Sequence, residues 1–313
     1  MRYALLKLLL SIPTMLIVAI VIFVLMRLVP GDPAMILVGD PENVEALEEA
    51  RRALGLDQSY LTQFAIWLSN VVSGDLGVSL MTGEPVLAAI GRRFEVTAQV
   101  VVLAMLFAAA IAIPFGTYAA SRQNRKGDFA VVLAANILIS VPSFWVGLML
   151  ILVFGATLGW LPTVGYVSVS DDVGAGLRYL ILPVIALLFV EIATLTRMVR
   201  ASTLEVLRQD YVVNARSKGL PEGAVIRRHV VKNAFAPTMT LMGLILGSLL
   251  GGVAVIETVF TLPGLGRFLV DGIYARDYAV VQGVLLFVAF VHIVVNLIVD
   301  LLYGVLDPRI EMR

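Results

Sequence analysis

RASTLEVLRQDYVVNARSKGLPEGAVIRRHVVKNAFAP, residues 200–237, is a basic, helix-prone segment lodged between two long apolar runs. The preceding run continues as helix through Leu204-Glu205-Val206-Leu207 and breaks near Gln209-Asp210. Asp210 is a preferred N-cap type, so residues 211–218 are predicted to form a short helix of about two turns. Gly219 suits the left-handed position after that helix, and Pro221 prevents its continuation. A second short helix is predicted over residues 222–232. Glu222 lies in its first turn and Arg227, Arg228 and Lys232 toward its end, as the helix dipole favours. Tyr211 and Ala215 are four residues apart, and Val212 and Ala215 three, so a small knob-like face is expected to project. Two readings stay open on physics alone. The segment is either an interfacial linker whose bases rest on anionic lipid, or a docking element built of two short helices about a Gly-Leu-Pro hinge.

The rest of the chain says where that segment sits. The 313 residues are 59% hydrophobic and 15% charged, with a mean hydropathy of +0.94. Soluble domains carry about 25% charged residues, so most of this chain must face lipid or other apolar helices. Acids and bases balance to zero net charge, which leaves no electrostatic footprint for nucleic acid. There are no cysteines and only two histidines, His229 and His292. Disulfides, thiolate zinc sites, thiol nucleophiles and a histidine-rich metal site are thereby excluded.

Residues 8–26 form a first apolar run, close to the roughly 20 residues needed to cross a bilayer. It is too long for a signal-peptide core and no A-x-A site ends it, so it reads as a retained span. Residues 30–95 are the largest polar region. PGDP (residues 30–33) is turn chemistry, Asp40-Pro41-Glu42 starts a short acidic helix ending at Gly55, and a second helix covers residues 58–72. That helix is expected to carry Leu61, Phe64, Leu68 and Val71 on one face. Acids outnumber bases here, and the region reads as a small external insert. Further spans are expected over residues 96–120 (kinked or ended near Pro114), 129–155 (interrupted at Val141-Pro142-Ser143), 179–199, 237–256 and 279–303. TLPGLGRF, from Thr261, and the residues to Tyr278 read as an outer loop. The N-terminus, residues 121–128, the segment 200–232 and the C-terminal tail hold most of the basic residues of the loops. By the positive-inside rule, the fold class is an all-α membrane protein of about six transmembrane helices with both termini cytoplasmic. The expected division is residues 1–95 (first helix plus insert), 96–304 (transmembrane core containing segment 200–237) and 305–313 (tail).

An enzyme reading fails on inventory. There is no HExxH, and none of Lys7, Lys126, Lys218 or Lys232 follows a glycine as a phosphate-binding P-loop requires. If ATP drives this chain, another subunit binds it.

YVVNARSKGLPEGAVIRRHVVKNAFAP resembles the cytoplasmic coupling segment, the EAA loop, of bacterial ABC importer permeases. The loop's glycine maps to Gly219 and its second alanine to Ala215; Val213 and Asn214 stand in place of Glu and Ala, and the I-x-L-P element is missing. The pattern is closer to the dipeptide/oligopeptide/nickel/glutathione branch, matching at Asp210-Tyr211, Ala215-Arg216, Lys218-Gly219 and Pro237, with Lys232-Asn233-Ala234 replacing Arg-Asn-Ala. PGDP, LGLD (54–57), GDLGVS (74–79), LPTVG (161–165), LPGLGR (262–267) and DPRI (307–310) occur in the order seen in the first of the two permease subunits. The resemblance implies a type I ABC importer permease fold, and ATPase coupling through Asp210, Tyr211, Val212, Asn214, Ala215, Arg216, Lys218 and Gly219. It also implies a second permease, two ATP-binding subunits carrying ATP and Mg, and a periplasmic or lipid-anchored solute-binding protein. The implied place is the bacterial inner membrane.

Three features lie within the spans. Gly243, Gly247 and Gly251 recur every four residues, a small-residue ridge for close helix approach. His292, Asn296 and Asp300 stack on one helix face and read first as interhelical hydrogen-bonding groups. Glu191 is an intramembrane acid, for which Arg197 or a cationic group of a solute is the candidate partner. Glu191, His292 and Asn296 are thus candidates for a translocation path. The function expected is import of small peptide-like solutes as the permease subunit of an ATP-driven system, this chain itself being no enzyme. The alternative is a self-sufficient secondary transporter or channel.

Overall fold

The computed structural model describes residues 2–28, 32–40 and 42–306. Pro30 and Gly31 of PGDP, Pro41, and the tail from Asp307, with its DPRI motif, lie outside the described residues. Everything described is helix or connection, apart from an isolated antiparallel bridge between Val78 and Pro85. Among the described residues, five helices are long and apolar enough to cross a membrane, and a sixth span exists if the bent pair Lys126–Ser140 and Ser143–Thr157 is counted as one. A backbone in lipid must satisfy its own polar groups, which continuous helices do.

Two compact units divide the chain. The first comprises Met1–Thr97 and Pro263–Ile293, the second Ala98–Leu262 and Val294–Arg313.

In the first unit, α1 (Arg2–Leu28) is followed by α2 (Pro33–Val38), α3 (Val44–Ala53) and α4 (Tyr60–Val72). Their starts are written in side chains: Asp32, Asn43 and Ser59 each accept a backbone N–H of the following turn. Most of the expected face of α4 packs, with Phe64, Leu68 and Val71 half-buried, and only its first residue departs. Phe64 and Trp67 meet Phe23 of α1, with ring centroids 5.2 and 5.9 Å apart, and Val71 joins Ala19 and Ile22. Leu61 is exposed, and Gln63 is buried in its place.

The next helix, α5 (Val86–Ser121), begins ten residues earlier than the apolar pattern suggested. Its charged first turns are nonetheless anchored: Arg92 pairs with Glu84 at 2.7 Å, and the Arg93 guanidinium lies 4.2 Å from the Phe268 ring. Residues 265–274, expected to be loop, are a helix. This helix is α13 (Leu265–Tyr274) and the last is α14 (Tyr278–Leu306), with α6–α12 lying between α5 and α13 in the chain. Leu265 and Phe268 bury against Val86, Ala89 and Ile90 of α5 and Val280 and Val284 of α14. Asp277, almost fully buried, accepts from Ser79 Oγ at 2.7 Å and from the Val280 N–H, and so ties the 79–82 turn to the start of α14.

The second unit holds α6 (Lys126–Ser140), α7 (Ser143–Leu150, prolonged by a π-helical turn Ile151–Thr157), α8 (Val173–Leu207), α9 (Asp210–Ser217), α10 (Glu222–Val225), α11 (Val231–Gly252) and α12 (Ala254–Val259). The break at Val141-Pro142 bends α6 and α7 by 88°. Pro114 does not end α5, which runs on to Ser121. The glycine two residues later marks a close approach instead: a Cβ at Gly116 would lie 2.7 Å from Val199 Cβ of α8. Pro237 likewise lies inside α11 and does not open it.

Candidate functional site: the segment between α8 and α11

Helix α8 ends at Leu207, and Arg208 and Gln209 make the turn. Gln209, in extended conformation, holds the N-cap position without a side-chain bond; Asp210 is the first helical residue instead of the cap. Its charge there still favours the helix N-terminus. After Ser217 the chain turns through Gly219 at φ +81°, the left-handed region, with its N–H on Arg216 O at 2.9 Å. That is the helix-terminating geometry expected of the glycine.

The expected second short helix is not separate. α10, a π-helical turn Ile226–Val230 and α11 form one helical run from Glu222 to Gly252. Arg227, Arg228 and Lys232 are exposed and sit in its opening turns. They therefore do not cap a C-terminus; apolar residues beyond Lys232 carry the helix on.

The face of α9 is also inverted relative to expectation. Val212 and Ala215, expected to project, are buried with Val225 and Val230, while Val206, Leu207 and Leu220 close the cluster. Tyr211, Val213, Asn214, Arg216, Ser217 and Lys218 are exposed. The periodicity identified the stripe correctly, but a stripe on a short helix turns toward whatever apolar surface its neighbours offer. Here that surface is the start of the following helix.

Two ion pairs that sequence reasoning missed brace this segment. Arg216 reaches across the hinge to Glu222 with two bonds, Nε–Oε2 at 3.0 Å and Nη2–Oε1 at 2.6 Å. The Glu222 carboxylate holds the Arg216 guanidinium above its ordinary pKa. Both side chains are well exposed, so the pair contributes only about 0.2–1 kcal/mol; its value is geometric. Arg200, at the head of the quoted stretch, grips Asp128 at the start of α6 through Nε–Oδ1 at 2.6 Å and Nη2–Oδ2 at 2.7 Å. Asp128 is buried and also accepts the Asn124 N–H at 3.0 Å, where the loop turns at φ +62°. A signal existed for the first pair, opposite charges bracketing a hinge; for the second, 72 residues apart, none did.

The remaining candidates lie apart from this segment. Gly243 meets α14 so closely that an added Cβ would clash with the Val299 side chain, Gly247 is buried, and Gly251 has nothing within 4 Å. Glu191 is buried in α8. Arg197 is exposed on that helix: six residues turn a helix by about 240°, so the two side chains diverge and no pair between them forms among the described residues. His292, Asn296 and Asp300 are half-buried along α14. Glu257, fully buried on α12, was overlooked because the residues around it read as the end of a span.

Comparison with known proteins agrees with this architecture. Residues 112–312 match the model of the binding-protein-dependent transport system inner membrane component, and residues 1–104 match the N-terminal model of such membrane components. A peptide transport system permease protein of Brucella suis is 44% identical over 96% of both chains. The dipeptide transport system permease protein of Alkalihalophilus pseudofirmus is 37% identical over 99% of both. The glutathione transport system permease protein of Escherichia coli is 40% identical over 100% of both. Matches of this length and identity establish that the chain is a multi-pass membrane protein of the binding-protein-dependent transport system inner membrane component family.

Proposed function

We propose that this chain is the permease subunit of an ATP-driven, binding-protein-dependent importer of small peptide-like solutes, and that α9 is where an ATPase subunit docks. The observation carrying the proposal is the orientation of α9. An interfacial helix serving lipid lays its apolar face into the bilayer boundary. Here Val212 and Ala215 are buried within the chain, and the outward face presents Tyr211, Asn214 and Lys218. That favours a protein partner over lipid. In this reading Tyr211, Asn214 and Lys218 touch the ATPase, while Val212 and Ala215 seat the helix. Asp210, Arg216 and Gly219 set its ends.

The family and the transport functions of its relatives support a set of partners: a second, similar permease, two ATPase subunits that bind ATP and Mg, and a solute-binding protein outside the membrane. Hydrolysis belongs to those subunits and this chain is no enzyme. The distribution of basic residues among the loops supports a topology in the bacterial inner membrane with both termini and α9 cytoplasmic and the α2–α4 insert outside. The test is reconstitution of the purified complex in liposomes, with uptake of the solute carried by its binding protein. Uptake should require ATP and the ATPase subunits. Flux through this chain alone would overturn the proposal in favour of a self-sufficient transporter or channel.

A further inference from the structure

The first unit contains a cavity of about 460 Å³ that the coupling mechanism does not use. Its volume falls within the range of small-molecule sites. Arg27 from the end of α1, Gln63 and Trp67 from α4, and Tyr278 and Gln282 from α14 line it.

Its polar chemistry is one-sided. The Arg27 guanidinium lies 3.6 Å from the centroid of Phe23 and 5.7 Å from that of Tyr278, and its Nη2 donates to Gln63 Oε1 at 2.9 Å. The Gln63 amide nitrogen is engaged by Gln58 O at 2.8 Å and Leu56 O at 3.3 Å, which orients its oxygen to Arg27. Arg27 Nε and Nη1 and Gln282 Nε2 are buried and meet no acceptor among the described residues. Nor does any carboxylate among them pair with Arg27. Buried donors are ordinarily satisfied, and a guanidinium fork is matched best by a planar anion with two oxygens. The one acid among the described residues of the lining, Asp75, is exposed and accepts the Gly77 N–H through a single oxygen, so it can also meet a cation.

We infer that this cavity is an accessory solute site, in which Arg27 and Gln282 receive the carboxylate of a small peptide-like molecule and Asp75 faces its ammonium. The choice of a peptide-like solute rests on the transport reading above; the anion chemistry of the site does not.

Trp67 lines the cavity and supplies the readout. The full chain, carrying Trp145→Phe and Trp160→Phe in lipid nanodiscs without partners, is titrated with tri-alanine, with tri-alanine amide, and with phosphatidylglycerol. Tri-alanine is expected to shift Trp67 fluorescence saturably, and the amide to bind roughly tenfold more weakly. Arg27→Gln should remove the response. Gln282→Leu, which keeps the guanidinium and the packing volume, should weaken it roughly threefold to tenfold. The inference is overturned if tri-alanine gives no saturable shift, if the amide binds equally, or if both variants respond as the parent does. A response to phosphatidylglycerol and none to tri-alanine would assign the donors to a lipid phosphate and overturn it too. None of these outcomes touches the transport reading, which stands or falls on ATP-dependent uptake.

Discussion

Replacing Gly219 separates conformational from steric control of the hinge. Gly219 has φ +81°, and a Cβ built there meets nothing within 4 Å. Any cost of a side chain is therefore backbone strain, about 1–2 kcal/mol for an ordinary L-residue and more for a β-branched one. Asn tolerates the left-handed region best after Gly. The cluster that seats α9 is held more firmly: burying a side chain such as Val212 is worth about 1.5–3 kcal/mol, and Val225 and Val230 add to it. Strain of this size is thus too small to unfold the segment. It is large enough to lower the population of the correctly turned hinge by roughly 5- to 30-fold, at 1.4 kcal/mol per factor of ten. Gly219→Asn, →Ala and →Val should all insert in the membrane and should couple in that descending order. The assay is ATP-dependent uptake by the reconstituted complex, alongside retention of the ATPase through purification. If Gly219→Val transports and retains the ATPase like the parent, or if Asn is worse than Val, the hinge argument is wrong.

Three further expectations follow from the same geometry. Ala215→Arg places a charge in the buried cluster, which costs several kcal/mol; it should expose residues 208–221 to limited proteolysis, whereas Asn214→Arg on the outer face should leave proteolysis unchanged and weaken ATPase retention alone. Breaking the Arg200–Asp128 bond with Asp128→Asn should cost up to roughly 3–5 kcal/mol, since Asp128 is buried; a double-mutant cycle with Arg200→Gln, followed by thermal unfolding in detergent, should show the two changes to be strongly non-additive. Glu191→Gln should alter uptake while leaving assembly intact, and unchanged uptake would remove Glu191 from the transport path.

What could be read from the sequence followed the strength of the solvent constraint. Lipid demands long apolar runs, and each of those runs is helical where expected, although α5 starts ten residues early and the run over 129–155 is two helices bent at Val141-Pro142. Where protein replaces lipid as the neighbour, composition misleads. Pro263-Gly264 reads as loop chemistry, yet it only introduces α13, whose Leu265 and Phe268 bury one helical turn apart. Arg92, Arg93 and Glu95 read as the edge of a polar region, yet they lie on α5. Pro114 and Pro237 read as helix boundaries, yet both sit within helices, where neighbouring helices can compensate the lost bond. Between α8 and α11 the hinge and the break after α8 were legible, because they depend on local chemistry of Gly219, Pro221 and Gln209-Asp210. The direction of α9 was not, because it depends on Val225 and Val230 from beyond the hinge.

The same cluster determines what kind of mechanical part the segment is. Only Arg208 and Gln209 separate α8 from α9, and only Lys218 to Pro221 separate α9 from the run that becomes α11. Val206 and Leu207 belong to α8, Val212 and Ala215 to α9, Leu220 to the hinge, and Val225 and Val230 to the following helix; all share one hydrophobic cluster. A push on α9 cannot be absorbed by slack, since the connections are too short and the cluster is close-packed. It must move the adjoining ends of α8 and α11 together, or open the cluster. On α8 the push arrives about two turns from Arg200, whose two bonds to Asp128 pass it to the start of α6. The segment is thus built as a rigid toe on three membrane helices, with Gly219 and Gln209 fixing its angle. A mobile tether would need the opposite construction, with longer linkers and an unburied α9. Proposed ATPase closure would then act on this chain as displacement of a rigid body, and variants that loosen the cluster should uncouple hydrolysis from uptake without preventing docking.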